Sequence, residues 1–227
     1  MTITYLHHSA FLVETESACL LFDWFEGELP PIPAEKPLYV LASHSHYDHF
    51  SADIFLLTKD HPKVTYLLSW DIPVEKAKSN IHFLQPHEIW KDEILSLETY
   101  RSTDEGVAFW CSIDGREIYH AGDLNHWYWE GEEEQWNRDM TAAYRAEMAL
   151  LAGKTADIAF IPADPRLEDW FYLGVDDFMQ QSDARHIFPM HFWGDFSVCE
   201  KLKNHPCSEK YRDRIISLEE KGQTFSL

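Results

Sequence analysis

The sequence of 227 residues lacks long apolar runs and closely spaced cysteines. No apolar run approaches the roughly 18 residues that a membrane-spanning helix needs, so no membrane span is predicted. The N-terminal stretch has no basic start and carries Glu14, Glu16 and Asp23 among its apolar residues, so it does not read as a signal peptide. The four cysteines form no C-x-x-C pair, which favours reduced thiols in a cytoplasmic protein.

Positive charge is also scarce, because 19 Lys and Arg residues stand against 39 Asp and Glu, a net charge of −20. A surface this acidic repels phosphate backbones and anionic lipids. Binding to nucleic acid or to membranes is therefore disfavoured, and a small-molecule ligand is expected. Thirteen histidines in the same chain are unusual, because histidine serves metal binding and proton transfer.

The apolar pattern predicts one domain over residues 1–227 that mixes strands and helices, since no linker divides the chain. An Asp-Gly turn at 114–115 predicts a hairpin of strands 107–113 and 116–120. Residues 26–37 contain four prolines and are expected to form a loop. Further strands are predicted at 19–22, 38–42, 64–68, 81–84, 94–100, 158–161 and 186–189. Helices are predicted at 51–58 with Ser51 as N-cap, and at 132–152, 174–181 and 196–203, before a short polar tail.

The most informative segment is His44-Ser45-His46-Tyr47-Asp48-His49, which directly follows the buried strand predicted at 38–42. In extended backbone His44, His46 and Asp48 lie on the same side, and His49 follows where the chain must turn. Three imidazoles and a carboxylate within six residues are what a borderline-soft cation such as zinc binds. The segment therefore predicts a metal site.

With this motif the sequence resembles the metallo-β-lactamase-fold hydrolase superfamily over most of its length. The resemblance includes a strand that ends in Gly122-Asp123 and a late strand that ends in His191. The segments 4–9 and 21–23 look like the opening hairpin of the lactonase-like branch, of the ascorbate-6-phosphate lactonase type. The resemblance implies an α/β fold, an αββα sandwich of two mixed sheets with helices on the outer faces and metals at one edge.

The resemblance also implies the ligands of one or two Zn²⁺ ions. His44 and His46 would bind the first metal, Asp48, His49 and His191 the second, and Asp123 both. The superfamily supplies a third histidine to the first metal just before the strand at 107–113, but segment 100–106 has none. Asp104 is the expected replacement, ahead of Glu105 and water, and a polar turn without a ligand is an equal alternative. Two histidines with oxygen donors would make the first site accept manganese or iron more readily.

The implied function is that of a metal-dependent hydrolase, in which a metal-bound hydroxide cleaves an ester, lactone or phosphoester bond of a small molecule. Asp48, His49 and Asp123 are the expected catalytic residues. Without its third histidine, the site could instead belong to a non-catalytic metal-binding or sensor protein. The sequence leaves the oligomeric state open.

For several residues near the predicted site, a structural role is an alternative to a functional one. Asn125, Trp127 and Arg166 are expected to contact substrate, although helix packing could explain the aromatic residue and a salt bridge could explain Arg166. His120 is expected to be a hydrogen-bonded core histidine rather than a ligand. His8 is expected near the metal edge, beside the ligands.

Overall fold

Two β-sheets form the framework of the chain, whose computed structural model describes residues 1–74 and 79–227. In the described residues the first sheet has the strand order β13-β1-β2-β3-β4-β5-β6 and the second the order β12-β11-β10-β9-β8-β7. The strands of the first sheet are β1 (Thr2–His7), β2 (Ala10–Glu14), β3 (Cys19–Phe22), β4 (Leu38–Ala42), β5 (Val64–Ser69), β6 (Ile81–Leu84) and β13 (Thr224–Ser226). Those of the second are β7 (Ile89–Lys91), β8 (Ser96–Arg101), β9 (Val107–Ile113), β10 (Arg116–His120), β11 (Thr155–Pro162) and β12 (Asp183–Met190).

Both sheets are mixed. In the first sheet β1, β2 and β3 are antiparallel, whereas β3 to β6 are parallel neighbours. In the second, β9 and β10 form an antiparallel hairpin, and β10, β11 and β12 are parallel. The predicted α/β architecture of two mixed sheets with helices is therefore confirmed.

The main apolar core lies between the sheets. Phe11 of the first sheet packs against Phe160 of the second, with ring centroids 4.2 Å apart. The side chains of strand β3 alternate between its two faces: Leu20 and Phe22 join this core, whereas Cys19 and Leu21 face a smaller cluster on the outer side of the first sheet. Burial on both faces explains why β3 and β4 are continuous apolar runs in the sequence.

Four α-helices lie among the described residues: α1 (Ile54–Leu57), α2 (Glu134–Leu150), α3 (Leu173–Gln181) and α4 (Ser197–Asn204). Short 3₁₀ helices cover Pro165–Trp170, Pro206–Lys210 and Arg212–Arg214. On α2, Tyr144 and Met148 are buried one turn apart, as the helical spacing predicts. None of these helices combines the length and the apolarity needed to cross a membrane.

The predicted hairpin is confirmed with the predicted bounds, and the other strands agree to within a few residues. The helix expected at 51–58 is wrong in extent, because only Ile54–Leu57 is helical and Asp53 is the N-cap. Ser51 Oγ instead accepts a hydrogen bond from the Asp53 backbone N–H. Strands β7 and β13 were not expected from the sequence, and β13 lies in the tail that was predicted only to be short and polar.

Candidate metal centre

The carboxyl ends of five strands meet at one edge of the two sheets. In the first sheet β3 ends before Asp23 and β4 before Ser43. In the second sheet β10 is followed by Asp123, β11 by Asp164 and β12 by His191. Because parallel strands end at the same edge of a sheet, residues distant in sequence are brought together there, as in other open α/β sheets.

One cluster at this edge consists of His44, His46, Asp104 and Asp123, whose ligand atoms all lie within 4.8 Å of one another. His44 Nε2 lies 3.6 Å from Asp123 Oδ2, and His46 Nδ1 lies 3.7 Å from Asp104 Oδ2. His44 and Asp123 are buried, whereas the side chains of His46 and Asp104 are 41% and 44% exposed. Glu105, the alternative to Asp104, faces His46 from 3.6 Å but is outside the cluster.

A second cluster consists of His8, Asp48, His49 and His191, all of which are buried. His8 Nε2 lies 3.5 Å from Asp48 Oδ2. His8 is therefore a member of the cluster, whereas the sequence indicated only a position beside the ligands. Asp123 faces both clusters. Its Oδ1 lies 3.2 Å from His49 Nε2 and 3.3 Å from His191 Nε2, while its Oδ2 faces His44.

The imidazole nitrogens that face these clusters have no hydrogen-bond partner. The Nε2 atoms of His8, His44, His49 and His191 are buried and unpartnered, as is Asp123 Oδ1. A buried polar atom left without a partner costs about 1–3 kcal/mol, so this many in one place call for a group that they can bind jointly. Imidazole nitrogens with carboxylate oxygens are a donor set suited to zinc, manganese or iron. The residues therefore fit a divalent metal.

The opposite nitrogen of three of these rings is held by an acceptor. The Nδ1–H of His49 donates to Asp23 Oδ2 at 2.7 Å, and that of His191 donates to Asp164 Oδ2 at 2.9 Å. His44 Nδ1 lies 3.0 Å from Ser43 Oγ, which itself donates to Asp23 Oδ2. Fixing the proton on Nδ1 leaves the Nε2 lone pair facing the cluster and sets the plane of each ring.

Asp23 and Asp164, which hold the rings of His49 and His191, were not singled out from the sequence. Both are fully buried. The available signal was that each follows a buried strand, next to a strand that a histidine follows within two residues. That signal is weak without knowledge of which strands are neighbours.

The histidines of the clusters form two groups, one with a lowered and one with a raised pKa. Burial lowers the pKa of His8 and of His44 to about 4, so both rings are neutral. Burial also acts to lower the pKa of His191, but the Asp123 carboxylate outweighs it and raises this pKa to about 9. For Asp123, burial acts to raise the pKa, yet His191 and His49 hold it well below its usual range. A metal ion entering here would take the place of protons on these histidines.

Two glycines allow the backbone of the two sheets to approach at this edge. Gly106 has φ +73°, and a Cβ on it would lie 2.0 Å from the carbonyl oxygen of Ser43. The same carbonyl accepts a hydrogen bond from Val107 N at 2.9 Å. A Cβ on Gly122 would lie 2.6 Å from the Ser43 Cβ. The loop that carries His44 is thus seated directly on the second sheet.

A cavity of about 280 Å³ opens beside Asp104 and Asp123. Trp127 and Arg166, the expected substrate contacts, are among the residues that line it. Arg166 is also paired with Asp164, its Nε lying 2.8 Å from Oδ2, so the salt-bridge alternative is present as well. The expectation for Asn125 is wrong in its placement. Its side chain is fully buried and packs so closely on Gly174 that a Cβ there would meet Asn125 Oδ1 at 1.8 Å.

The prediction that His120 is a hydrogen-bonded core residue is confirmed. Its Nε2–H donates to the Ser9 carbonyl at 2.9 Å, and its Nδ1 accepts from Gly122 N at 3.1 Å. The ring stacks on Phe22, with centroids 4.8 Å apart. Both nitrogens are therefore satisfied within the core, and His120 faces neither cluster.

Comparison with known proteins assigns the class of this fold and site. Residues 2–139 match the family of the beta-lactamase superfamily domain. A protein of Korarchaeum cryptofilum, named UPF0173 metal-dependent hydrolase, is 29% identical and the match covers 99% of each chain. The chain therefore belongs to the beta-lactamase superfamily, and its relatives are named metal-dependent hydrolases.

Solved structures agree on the fold. Igni18, a metallo hydrolase from the hyperthermophilic archaeon Ignicoccus hospitalis, has a TM-score of 0.65 and 17% identity, and the match covers 100% of this chain and 98% of that one. CmlA, a diiron β-hydroxylase from Streptomyces venezuelae, also has a TM-score of 0.65, with 11% identity and coverage of 100% of this chain and 54% of that one. Because a hydrolase and a hydroxylase share this fold, the fold alone does not choose the metal or the reaction.

Proposed function

We propose that this chain binds one or two divalent metal ions in the two clusters and hydrolyses an ester, lactone or phosphoester bond of a small molecule. His44, His46 and Asp104 would hold the first ion, and Asp48, His49 and His191 the second, with His8 beside it. Asp123 would contact both ions. The observation that carries the proposal is a set of four buried, unpartnered Nε2 atoms, three of which face the Asp123 carboxylate and one, that of His8, the Asp48 carboxylate.

A bound divalent ion supplies a Lewis acid and a water molecule of lowered pKa. The residues of the chain would orient the ligands, balance the charge of the ions and limit the access of water. Asp23 and Asp164 orient His49 and His191 through their Nδ1–H groups. The carboxylates of Asp48, Asp104 and Asp123 balance much of the positive charge of two ions. Trp127, which is 5% exposed, shields the Asp123 side of the cavity from bulk water.

One feature favours a second candidate, a metal-binding protein without catalysis. His46 and Asp104 are half-exposed, and exposed ligands bind a metal more weakly than the buried set around His49. With only the second cluster occupied, the chain would hold a single, deeply buried ion. Metal content and turnover together separate these two functions.

The test is reconstitution of the chelator-treated protein with zinc, manganese or iron(II), followed by elemental analysis. Turnover is then assayed on p-nitrophenyl acetate, an aliphatic γ-lactone and bis-p-nitrophenyl phosphate. We expect at least one metal per chain and turnover in one of the three assays. His49→Ala is expected to lower the metal content and to reduce turnover by about 100-fold or more.

His61→Ala is the matched control, because His61 contacts the loop at Pro33 and is outside both clusters. It is expected to retain both metal and turnover. Less than one metal per chain, with no effect of His49→Ala, would contradict the proposal. Tight metal binding without turnover on any substrate would favour the non-catalytic function.

A further inference from the structure

Three tryptophans and a methionine form an apolar wall of the cavity that Asp104 and Asp123 also line. Trp127 and Trp129 come from the loop after β10, and Trp136 and Met140 come from α2. The rings of Trp127 and Trp129 are nearly parallel, at 7°, with centroids 6.3 Å apart. The Trp127 indole N–H donates to the Asp123 backbone carbonyl at 3.0 Å, so its polar edge is already used. What remains for a ligand on Trp127 is aromatic surface.

This wall is fixed before any ligand enters. The buried side chain of Asn137 accepts from Trp129 N at 3.0 Å and donates to Trp129 O at 2.8 Å. These two bonds tie the loop to the first turn of α2, which carries Trp136. The Thr103 hydroxyl is likewise engaged, because it donates to Asn125 O and accepts from Asn125 N. A rigid aromatic wall lowers the entropy lost when a flat ligand binds.

The cation of this cavity is not free to bind an anion. Arg166 is the one basic side chain among the described residues that line it. Its guanidinium is paired with Asp164, which also accepts the Nδ1–H of His191. An anionic ligand would have to draw Arg166 away from a carboxylate that orients a proposed metal ligand. The positive charge of Arg166 would also repel a cationic ligand on this wall, because the Arg166 guanidinium lies 5.8 Å from the Trp129 ring centroid.

We infer that the substrate is a small, uncharged ester or lactone that bears a flat ring, which stacks on the wall of Trp127, Trp129 and Trp136. The inference rests on the proposed function and narrows its substrate class, disfavouring phosphorylated molecules. The cavity of about 280 Å³ suits a single ring with a short substituent, since it is at the small end of ligand sites. The labile bond would lie on the side of Asp104 and Asp123. Hydrolysis adds water across that bond and, at neutral pH, gives a carboxylate, an alcohol and one proton; from a lactone the carboxylate and the alcohol are on the same molecule.

The test compares kcat/KM of the metal-loaded protein for two acetates with similar leaving alcohols, benzyl acetate and cyclohexylmethyl acetate. We expect the flat ring to be preferred by about tenfold, the equivalent of one or two aromatic contacts. The charged analogues 4-carboxybenzyl acetate and 4-(trimethylammonio)benzyl acetate are both expected to react more slowly than benzyl acetate.

Variants of Trp136 test whether the aromatic wall causes the preference for benzyl acetate. Trp136 is suitable because it is 38% exposed, so its replacement leaves the core intact. Trp136→Leu is expected to abolish most of the tenfold preference, whereas Trp136→Phe, which keeps a ring, retains most of it. Trp70→Leu is the matched control, since Trp70 is 49% exposed and does not line the cavity. It is expected to leave the preference unchanged.

Equal kcat/KM for the flat and the saturated acetate, or faster hydrolysis of either charged analogue, would overturn the inference while leaving the proposed function standing. If no acetate is hydrolysed, binding of benzyl acetate and cyclohexylmethyl acetate to the metal-loaded protein is measured by saturation-transfer NMR. Selective binding of benzyl acetate that Trp136→Leu removes supports the aromatic wall even if the reaction is different. Absence of that binding overturns the inference.

Discussion

At the scale of single residues, the carboxylates of Asp23 and Asp164 set the orientation of two histidines of the candidate metal site. Asp23 and Asp164 face no cluster directly, yet each fixes the proton of a histidine whose other nitrogen does. Asp164 has a second partner in Arg166, which lines the cavity. The orientation of His191 and the wall of the cavity are therefore linked through one buried side chain.

Asp164→Asn is expected to weaken metal binding by about 10- to 100-fold. The amide keeps the shape of the side chain but can present its N–H₂ to His191, so the ring loses a charged acceptor. The measurement is metal affinity by competition with a chromogenic chelator. Asp139→Asn, on the exposed face of α2, is the control and should bind metal like the parent protein. Equal affinity in the two variants would show that Asp164 does not orient His191.

How much of the site the sequence predicts depends on the distance between its residues along the chain. The segment from His44 to His49 is local, so its spacing alone indicates a metal site. His191 and Asp123 could be proposed only through resemblance to a family. Asp23 and Asp164 could not be found, because their role depends on which strands are neighbours. Asn125 was misplaced because its proximity to Asp123 in sequence says nothing about the direction of its side chain.

At the scale of elements, the contact between the loop after β4 and the start of β9 joins the two sheets at the metal edge. Gly106 makes this contact possible, since its missing Cβ leaves room for the Ser43 carbonyl. Gly115, in the β9–β10 turn, has nearly the same backbone angle, φ +70° against +73°, but open space around it. The two glycines therefore separate the effect of backbone angle from that of contact.

Gly115→Ala is expected to lower the free energy of unfolding by about 1–2 kcal/mol, the cost of a left-handed conformation for a residue with a Cβ. Gly106→Ala carries the same cost plus a backbone clash, so we expect it to exceed Gly115→Ala by several kcal/mol. Urea unfolding of both variants measures the difference. Equal losses would mean that the loop after β4 moves away from Gly106 at little cost.

Elements with a strong local pattern were predicted well, and those defined by pairing were not. The β9–β10 hairpin has an Asp-Gly turn between alternating strands, and α2 has a long helical period, so both could be located from sequence. Strand β13 has neither signal. It exists because its backbone pairs with the edge of β1, with Ile3 opposite Phe225. Pairing of this kind depends on a partner more than 200 residues away.

At the scale of the whole molecule, both clusters take their residues from both sheets. His8, Asp48 and His49 follow strands of the first sheet, and His191 follows β12 of the second. In the other cluster His44 and His46 belong to the first sheet, and Asp104 and Asp123 to the second. An ion in either cluster would thus join the two layers of the sandwich, in a protein whose four cysteines are all free.

Metal is therefore expected to stabilise the folded state as a whole. At a free metal concentration of 100 times Kd, an ion that binds only the folded protein adds about 2.7 kcal/mol to the free energy of unfolding. The measurement is urea unfolding of chelator-treated and metal-loaded protein. Asp123→Asn, which alters the carboxylate that faces both clusters, should remove most of the gain. Identical unfolding curves with and without metal, at full loading, would contradict this expectation.

The pairing of β13 with β1 brings the two ends of this chain together, with the Met1 amino group donating to the Leu227 carbonyl at 3.0 Å. A short linker could join them, and new ends could be opened in the exposed turn at Lys59 and Asp60 without interrupting a strand. Such a circular permutant would begin with β5 and deliver the His44–His49 segment last. The order of synthesis would then decide when the metal edge is complete, although the folded protein would be the same.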